Sequence, residues 1–573
     1  MTTAKTSPEV RTVRIEDAGC GALENIGRCD HSVTNEYRLF GPPGTGKTSR
    51  LADHVQRAAK EYGSDKLLVT SFSRTAAAEL TDRYLPISPD RIGTLHSFCW
   101  HALGGPKIAE AHVAAWNQRY PGIRLTPANK LSRLDGEQPG EDDDTRRVGD
   151  PLLQELNRCR GQMLVPESWP PRVRDFAAKW EEYKRAEEIL DFCDLIDRCL
   201  RDVAVAPGAP AVILADEAQD LNRMQLTLLR KWSRRAEYFV IALDDDQTIY
   251  SFTGASPDAV LEAVIPQDHV VILEQSQRVP RAVHQFADQL IHRVSRRQEK
   301  VYRPRPAAGG VHRISGGYKC PDYATLSRAV KHLEQGKTVM FLAACSYMLQ
   351  PLIQVLRKHA IPFHNPYRRS NGRWNPLRLG KGSTATRILA LLVAHPDYGG
   401  ERHPWTYGDI ARWSEWLRPT GILETNAAEL LRQSEGRQPV PPERFGEILD
   451  DSAVASLLAT FDGNCRALLD WWRNRVMPSF RNRIQFPAEI VARLGPQKLI
   501  ETPRVVVGTI HSVKGGEADV VYLFPDLSPA GDAQYQIPGP PRDSVIRLFY
   551  VGATRARETL YLCGRETPRS MVM

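Results

Sequence analysis

The sequence predicts an α/β protein with two parallel sheets, each interrupted by a mainly helical insertion. Apolar runs of strand length, KLLVT (66–70), AVILA (211–215), EYFVIAL (237–243) and HVVIL (269–273), alternate with helix-like segments, the rhythm of a parallel sheet covered by helices. A second set, TVMFLA (338–343), RVVVG (504–508), DVVYLF (519–524) and TLYLC (559–563), follows later in the chain. A length of 573 residues, at about 150 residues per domain, suggests three or four compact units.

Composition sets the class. With 42% hydrophobic and 25% charged residues, the chain can bury several cores and is not expected to be disordered on a large scale. A net charge of +8 suits a polyanionic partner but is too small to identify one. The ten cysteines form no C-x-x-C and no compact Cys/His cluster, so neither zinc nor an iron–sulfur centre is signalled, and reduced thiols in a cytoplasm are expected. The opening MTTAKTSPEVRTVRIEDAG has no apolar signal-peptide core and no later run reaches a membrane-spanning length, so neither secretion nor membrane attachment is expected.

The first element is EYRLF (36–40), a short strand, followed by GPPGTGKT (41–48) and a helix carrying Leu51, Val55, Ala58 and Ala59 on one face. Strand, glycine-rich turn and helix make the context in which G-x-x-x-x-G-K-[ST] cradles phosphates. Gly41, Pro42, Pro43, Gly44, Thr45, Gly46 and Ser49 form the loop and helix start. Lys47 is expected to reach the terminal phosphates, and Thr48 can ligate Mg2+. Next, VILADEAQD (212–220) puts Asp216 and Glu217 at the end of a buried strand, where paired acids are costly unless a cation needs them. Asp216 is expected to hold Mg2+ and Glu217 to orient or deprotonate the attacking water. Then ALDDDQTIYSFTGA (242–255) sets Asp244, Asp245 and Asp246 side by side before Gln247, Tyr250 and Phe252. Three adjacent charges repel unless Mg2+-bound water or basic residues face them.

DEAQD resembles the second motif of the UvrD/Rep/PcrA-like superfamily 1 DNA helicases, and further segments resemble that family in its order. They are TSFSRTAAAEL (70–80), IGTLHSFCW (92–100), the D-D-D-Q-x-I-Y segment, LEQSQRVPRAVHQFA (273–287), VVVGTIHSVKGGEADVVYL (505–523) and IRLFYVGATRARETLYL (546–562). The resemblance implies two RecA-like P-loop NTPase domains. The first is expected at 1–100 and 190–278 around a helical insertion at 101–189, and the second at 279–375 and 500–573 around an insertion at 376–499. The runs RPRPAAGG (303–310) and SPAGDAQYQIPGPPRD (528–543) read as turns or surface loops. With the last motif so near the chain's end, no fused nuclease is expected.

By the same resemblance Gln247 senses the γ-phosphate, Arg278 and Arg555 act as arginine fingers across a cleft, and Glu517, in the same motif as Lys514, contacts ribose or strand. Phe72, His96, Tyr250, Phe252 and His511 become candidate contacts to single-stranded DNA, with Tyr250 and Phe252 on one side if their segment is extended. The resemblance implies a monomeric ATP-driven motor that moves 3′→5′ on single-stranded DNA and opens forked duplex. The rival is an ATPase stimulated by single-stranded DNA that displaces bound proteins without unwinding. A P-loop switch indifferent to DNA is the third reading, and it has no use for stacking aromatics. Two family features are absent: no glutamine precedes Gln56, and Gln277 stands where a base-stacking tyrosine is usual, so relaxed nucleotide choice is expected. Phe252 replaces the usual tryptophan and Thr253 the arginine after it, while Asp543 is the one acid left before the last motif, which implies a weaker grip on the strand.

Overall fold

The computed structural model describes residues 34–72, 85–127, 147–319, 323–368, 372–418, 420–462 and 464–573. Contacts divide it into two compact units, one holding the described part of 34–277 together with 297–303, the other 278–296 and 304–573.

The first unit is built on six strands: β1 (Glu36–Phe40), β2 (Leu67–Ser71), β3 (Ile92–Thr94), β4 (Val212–Asp216), β5 (Tyr238–Leu243) and β6 (Val270–Ile272), in the order β3-β2-β4-β5-β1-β6. Every pairing is parallel. Parallel strands buried on both faces are near-continuous apolar runs, and every residue of β2, β4 and β5 is buried. Two apolar layers cover the sheet: Leu51, Val55 and Ala58 of helix Lys47–Tyr62 pack on one side, and Leu195, Leu228 and Trp232 on the other.

A helical layer around Trp116, Phe176 and Trp180 adjoins this sheet. Its charged centre is Asp191, fully buried and the N-cap of helix Phe192–Asp202. The carboxylate takes bonds from Trp180 Nε1 (2.9 Å), Lys184 Nζ (2.7 Å) and Arg160 Nη1 (2.9 Å). Burial works against its charge, but Arg160 and Lys184 outweigh that and hold its pKa below the ordinary carboxylate range. At neighbouring Glu110 the balance reverses: burial, reinforced by Asp191, outweighs the Phe192 N–H and Lys184 and pushes its pKa up to about 8. The folded chain therefore keeps a proton that the unfolded chain loses from the ordinary value of 4.5 upward, so stability falls as pH rises across that window. Glu110→Gln is expected to raise the melting temperature at pH 9, the gain shrinking towards pH 5; a gain independent of pH counts against it.

A two-stranded ladder, β7 (Gln275–Pro280) and β8 (Arg303–Arg305), follows. The second unit then repeats the plan of the first with β9 (Gly310–Arg313), β10 (Val339–Ala343), β11 (Phe363–His364), β12 (Val505–Thr509), β13 (Ala518–Leu523) and β14 (Ala556–Leu562). Its order is β11-β12-β10-β13-β14-β9, again parallel throughout. One apolar core joins this sheet to the helices from Thr384–Leu392 to Pro478–Leu494 through Trp405, Trp413 and Trp472.

Two expected loops are structured. The stretch 528–543 holds helix Pro529–Gln536 and the start of helix Pro540–Ala553. Each has proline in its first turn, where the missing N–H leaves no helical bond unmade; the Pro/Gly clusters mark helix starts. Likewise 303–310 contains β8 and the first residue of β9. The acidic run GEQPGEDDD and residues 73–80 of the TSFSRTAAAEL segment lie outside the described residues. Among the described residues no helix is long and apolar enough to cross a membrane.

Candidate nucleotide site and its aromatic edge

The carboxyl ends of β1, β2, β4 and β5 converge on one side of the first sheet, where open parallel sheets bind their ligands. The glycine-rich turn leaves β1 here. Gly46 adopts φ 81° and ψ 27° before helix Lys47–Tyr62, a conformation that favours glycine. At Gly41 a Cβ would lie 2.6 Å from that of Lys47, so the turn closes only without a side chain. No side chain caps this helix and no acid lies in its first turn. Its leading N–H groups, together with the dipole, fit an anion. Within the loop, the Thr45 hydroxyl donates to Pro42 O (2.8 Å).

Lys47 is buried at 7% exposure. Its ammonium meets Glu217 Oε1 at 2.6 Å and Asp216 Oδ1 at 3.8 Å. Burial alone would lower its pKa, but the two carboxylates more than offset that, so it lies above the ordinary lysine value and the side chain is charged. Thr48 Oγ1 donates to Asp216 Oδ2 (3.0 Å). A hydroxyl and a carboxylate brought together beside the loop are hard oxygen donors that fit Mg2+. Glu217 takes φ 52° and ψ 37°, left-handed for a residue with a Cβ. Such strain, of order 1–3 kcal/mol, gathers at functional sites.

From Glu217 a chain of hydrogen bonds runs along the strand ends. Gln219 Nε2 donates to Glu217 Oε2 (2.6 Å), Asp244 N donates to Gln219 Oε1 (3.1 Å), and Gln247 Nε2 donates to Asp244 Oδ2 (2.7 Å). Gln219, fully buried, was not among the sequence candidates, although it lies inside DEAQD.

The triad's partners are basic residues. Lys300, 1% exposed in its side chain, places Nζ 3.2 Å from Asp244 Oδ1 and 2.9 Å from Asp246 Oδ2 and also bonds Asp245. Arg297 binds both oxygens of Asp246 (3.1 and 2.7 Å), and the Gln298 N–H donates to Asp245 Oδ2 (2.7 Å). Burial pushes Asp245 up; at Asp246 the same burial is overcome by Lys300 and Arg297, and its pKa is lowered. The ammonium of Lys300 fills the space that a metal held by the three acids would need. Basic residues, one of the two kinds of company that three adjacent acids require, face all three.

Beyond Gln247 the chain is not extended. Two short 3-10 turns, Asp245–Gln247 and Ser251–Thr253, replace the alternation of an extended segment, each with a local side-chain bond: the Asp246 N–H donates to Asp244 Oδ1 (3.3 Å) and the Thr253 hydroxyl to Tyr250 O (2.7 Å). Tyr250 is buried, its ring 5.0 Å from Phe72 and 5.8 Å from Phe252, both half-buried. These three aromatics form an edge beside the nucleotide pocket. His96, against the Phe192 ring at 5.9 Å, has its pKa pushed down to about 4 by burial. It is neutral at physiological pH.

In the second unit, Glu517 accepts from Arg278 Nε (2.6 Å) and Arg557 Nη1 (2.9 Å). Burial opposes its charge, yet Arg278 above all holds its pKa below the ordinary value. Arg555, 1% exposed, donates to the carbonyls of Val551 (2.8 Å) and Gly516 (3.3 Å). His511 opens a 3-10 turn, His511–Val513, directly after β12. The sequence candidates thus gather in two places: the P-loop, both acidic segments and Phe72 in one unit, and Arg278, Glu517 and Arg555 in the other.

Comparison with known proteins finds two matching stretches. Residues 28–264 match the model of the UvrD/REP helicase N-terminal domain and residues 504–563 that of the UvrD-like helicase C-terminal domain. The chain is 27% identical over 296 residues to the ATP-dependent DNA helicase UvrD1 of Mycobacterium tuberculosis, covering 45% of this chain and 37% of that protein. It is 26% identical over 291 residues to the ATP-dependent DNA helicase PcrA of Bacillus subtilis, covering 46% and 38%. The chain thus spans well under half the length of these relatives.

Proposed function

We propose that this chain, which belongs to the UvrD/Rep-like helicase family, is a nucleotide-driven motor that moves 3′→5′ along single-stranded DNA and separates duplex ahead of it. The observation that carries the reading is the unbroken chain from Lys47 through Glu217, Gln219 and Asp244 to Gln247, which leads from the phosphate loop to the aromatic edge. A change at the γ-phosphate alters the partner of Lys47, and the bonds that follow end three residues before Tyr250.

In this reading Lys47 leaves Glu217 for the terminal phosphates. Thr48 and Asp216 would hold Mg2+, which supplies charge neutralisation on the phosphate oxygens. Glu217, freed from Lys47 but still fixed by Gln219, accepts a proton from the attacking water at its carboxylate, and Gln247 orients that water. Arg278 and Arg555 are assigned the stabilisation of charge on the transferring phosphoryl as motor domains close, with 101–189 and 376–499 as helical insertions. Phe72 and Phe252 stack on bases with Tyr250 as their support, a contact indifferent to sequence.

The deciding assay compares duplexes with a 3′ or a 5′ single-stranded tail, alongside hydrolysis on bare single strands. Unwinding from the 3′ tail alone is the expected result. Strand-stimulated hydrolysis without unwinding would instead favour displacement of bound proteins. Nucleotide choice is a separate expectation: without the upstream glutamine and with Gln277 in place of a stacking tyrosine, kcat/KM for GTP and CTP should lie within about tenfold of that for ATP. A preference of several hundredfold counts against it.

A further inference from the structure

The segment 297–303 is enclosed in the first unit although the residues on both sides of it, 278–296 and 304 onward, belong to the second. It is held at both rims of the nucleotide pocket. On the triad side are the bonds of Arg297, Gln298 and Lys300. On the phosphate-loop side the Tyr302 hydroxyl donates to Pro43 O (2.8 Å), and the Arg303 N–H donates to Glu274 O (2.7 Å).

We propose that Lys300 is a positioning residue for hydrolysis: through Asp244 it fixes the amide of Gln247 at the pocket. The inference rests on the motor reading above. One oxygen of Asp244 faces Lys300 Nζ (3.2 Å) while the other accepts from Gln247 Nε2 (2.7 Å), and the Asp244 N–H is held by Gln219. The carboxylate therefore cannot rotate without breaking a bond to the lysine. A compact ammonium with three donors can meet three converging carboxylates at once. Its head also lies 5.8 Å from the centre of the Phe40 ring, at the end of β1. A purely structural lysine would neutralise the triad and nothing more; a positioning lysine has in addition to set where Gln247 points.

Two variants separate these roles. Lys300→Met removes the charge and the clamp together. Lys300→Met with Asp245→Asn also removes one of the repelling charges, from a residue whose carboxylate bonds Lys300 and the Gln298 N–H. Both are expected to lower kcat for hydrolysis by about tenfold or more while KM for ATP stays within about threefold, the mark of an interaction needed only in the transition state. The double variant is expected to melt closer to the parent than the single one does. A kcat within twofold of the parent in Lys300→Met, or restored by Asp245→Asn, overturns the assignment and leaves a structural charge. So does failure of both variants to fold. If the unaltered chain hydrolyses no nucleotide, the motor reading itself fails; hydrolysis that Lys300→Met leaves intact defeats only this inference.

Discussion

Lys47→Ala is expected to reduce nucleotide hydrolysis by at least about a hundredfold, the scale on which loss of one preorganised charge contact to a transition state acts. It should also destabilise the nucleotide-free protein. Asp216 and Glu217 would then face each other with no cation, one almost wholly buried and the other with a quarter of its side chain exposed. Removing one partner of a buried ion pair typically costs about 3–5 kcal/mol; partial exposure of Glu217 and the bond from Gln219 place this case at the lower end. Adding Glu217→Gln removes one of the repelling charges, so the double variant should regain part of the melting temperature and none of the activity. Hydrolysis within threefold of the parent in Lys47→Ala would sink both the pocket and the mechanism built on it.

Most of the fold was legible because buried parallel strands announce themselves. KLLVT, AVILA, EYFVIAL and HVVIL became β2, β4, β5 and β6, and TVMFLA, RVVVG, DVVYLF and TLYLC became β10, β12, β13 and β14. Five of the described strands went unread. β3, β8 and β11 have two or three residues each, too few for any period to show, and β7 and β9, QSQRVP and GVHR, are polar rather than apolar runs. Prolines misled at 528–543, where the residue that breaks a helix interior also starts one.

The site divides along a similar line. The phosphate loop and the acids of β4 are contiguous motifs with fixed neighbours, so their chemistry can be read locally. The partners of Asp244, Asp245 and Asp246 cannot. Lys300 lies more than fifty positions on, within the polar run SRRQEK; only the fold brings it to 1% side-chain exposure among three carboxylates. The segment 245–253 turns twice instead of running extended, the condition under which Tyr250 and Phe252 would share one side.

Glu217→Gln is the complementary experiment, because it should separate binding from chemistry. The amide keeps an oxygen for Lys47 and loses the charge that competes with phosphate for that ammonium, so affinity for ATP should hold or tighten. What disappears is the proton acceptor. General-base catalysis contributes typically about 10²–10⁴-fold, and kcat should fall by that order with KM unchanged or lower. The left-handed backbone at Glu217 and its bond to Gln219 Nε2 (2.6 Å) aim one carboxylate oxygen and leave the other to the ammonium; a glutamine there has to set its own amide N–H groups against one of those donors. Gln219→Ala should therefore follow in weaker form, lowering kcat with the acid still present but no longer aimed. If Glu217→Gln instead raises KM and spares kcat, Glu217 serves to hold Lys47 and the base lies elsewhere.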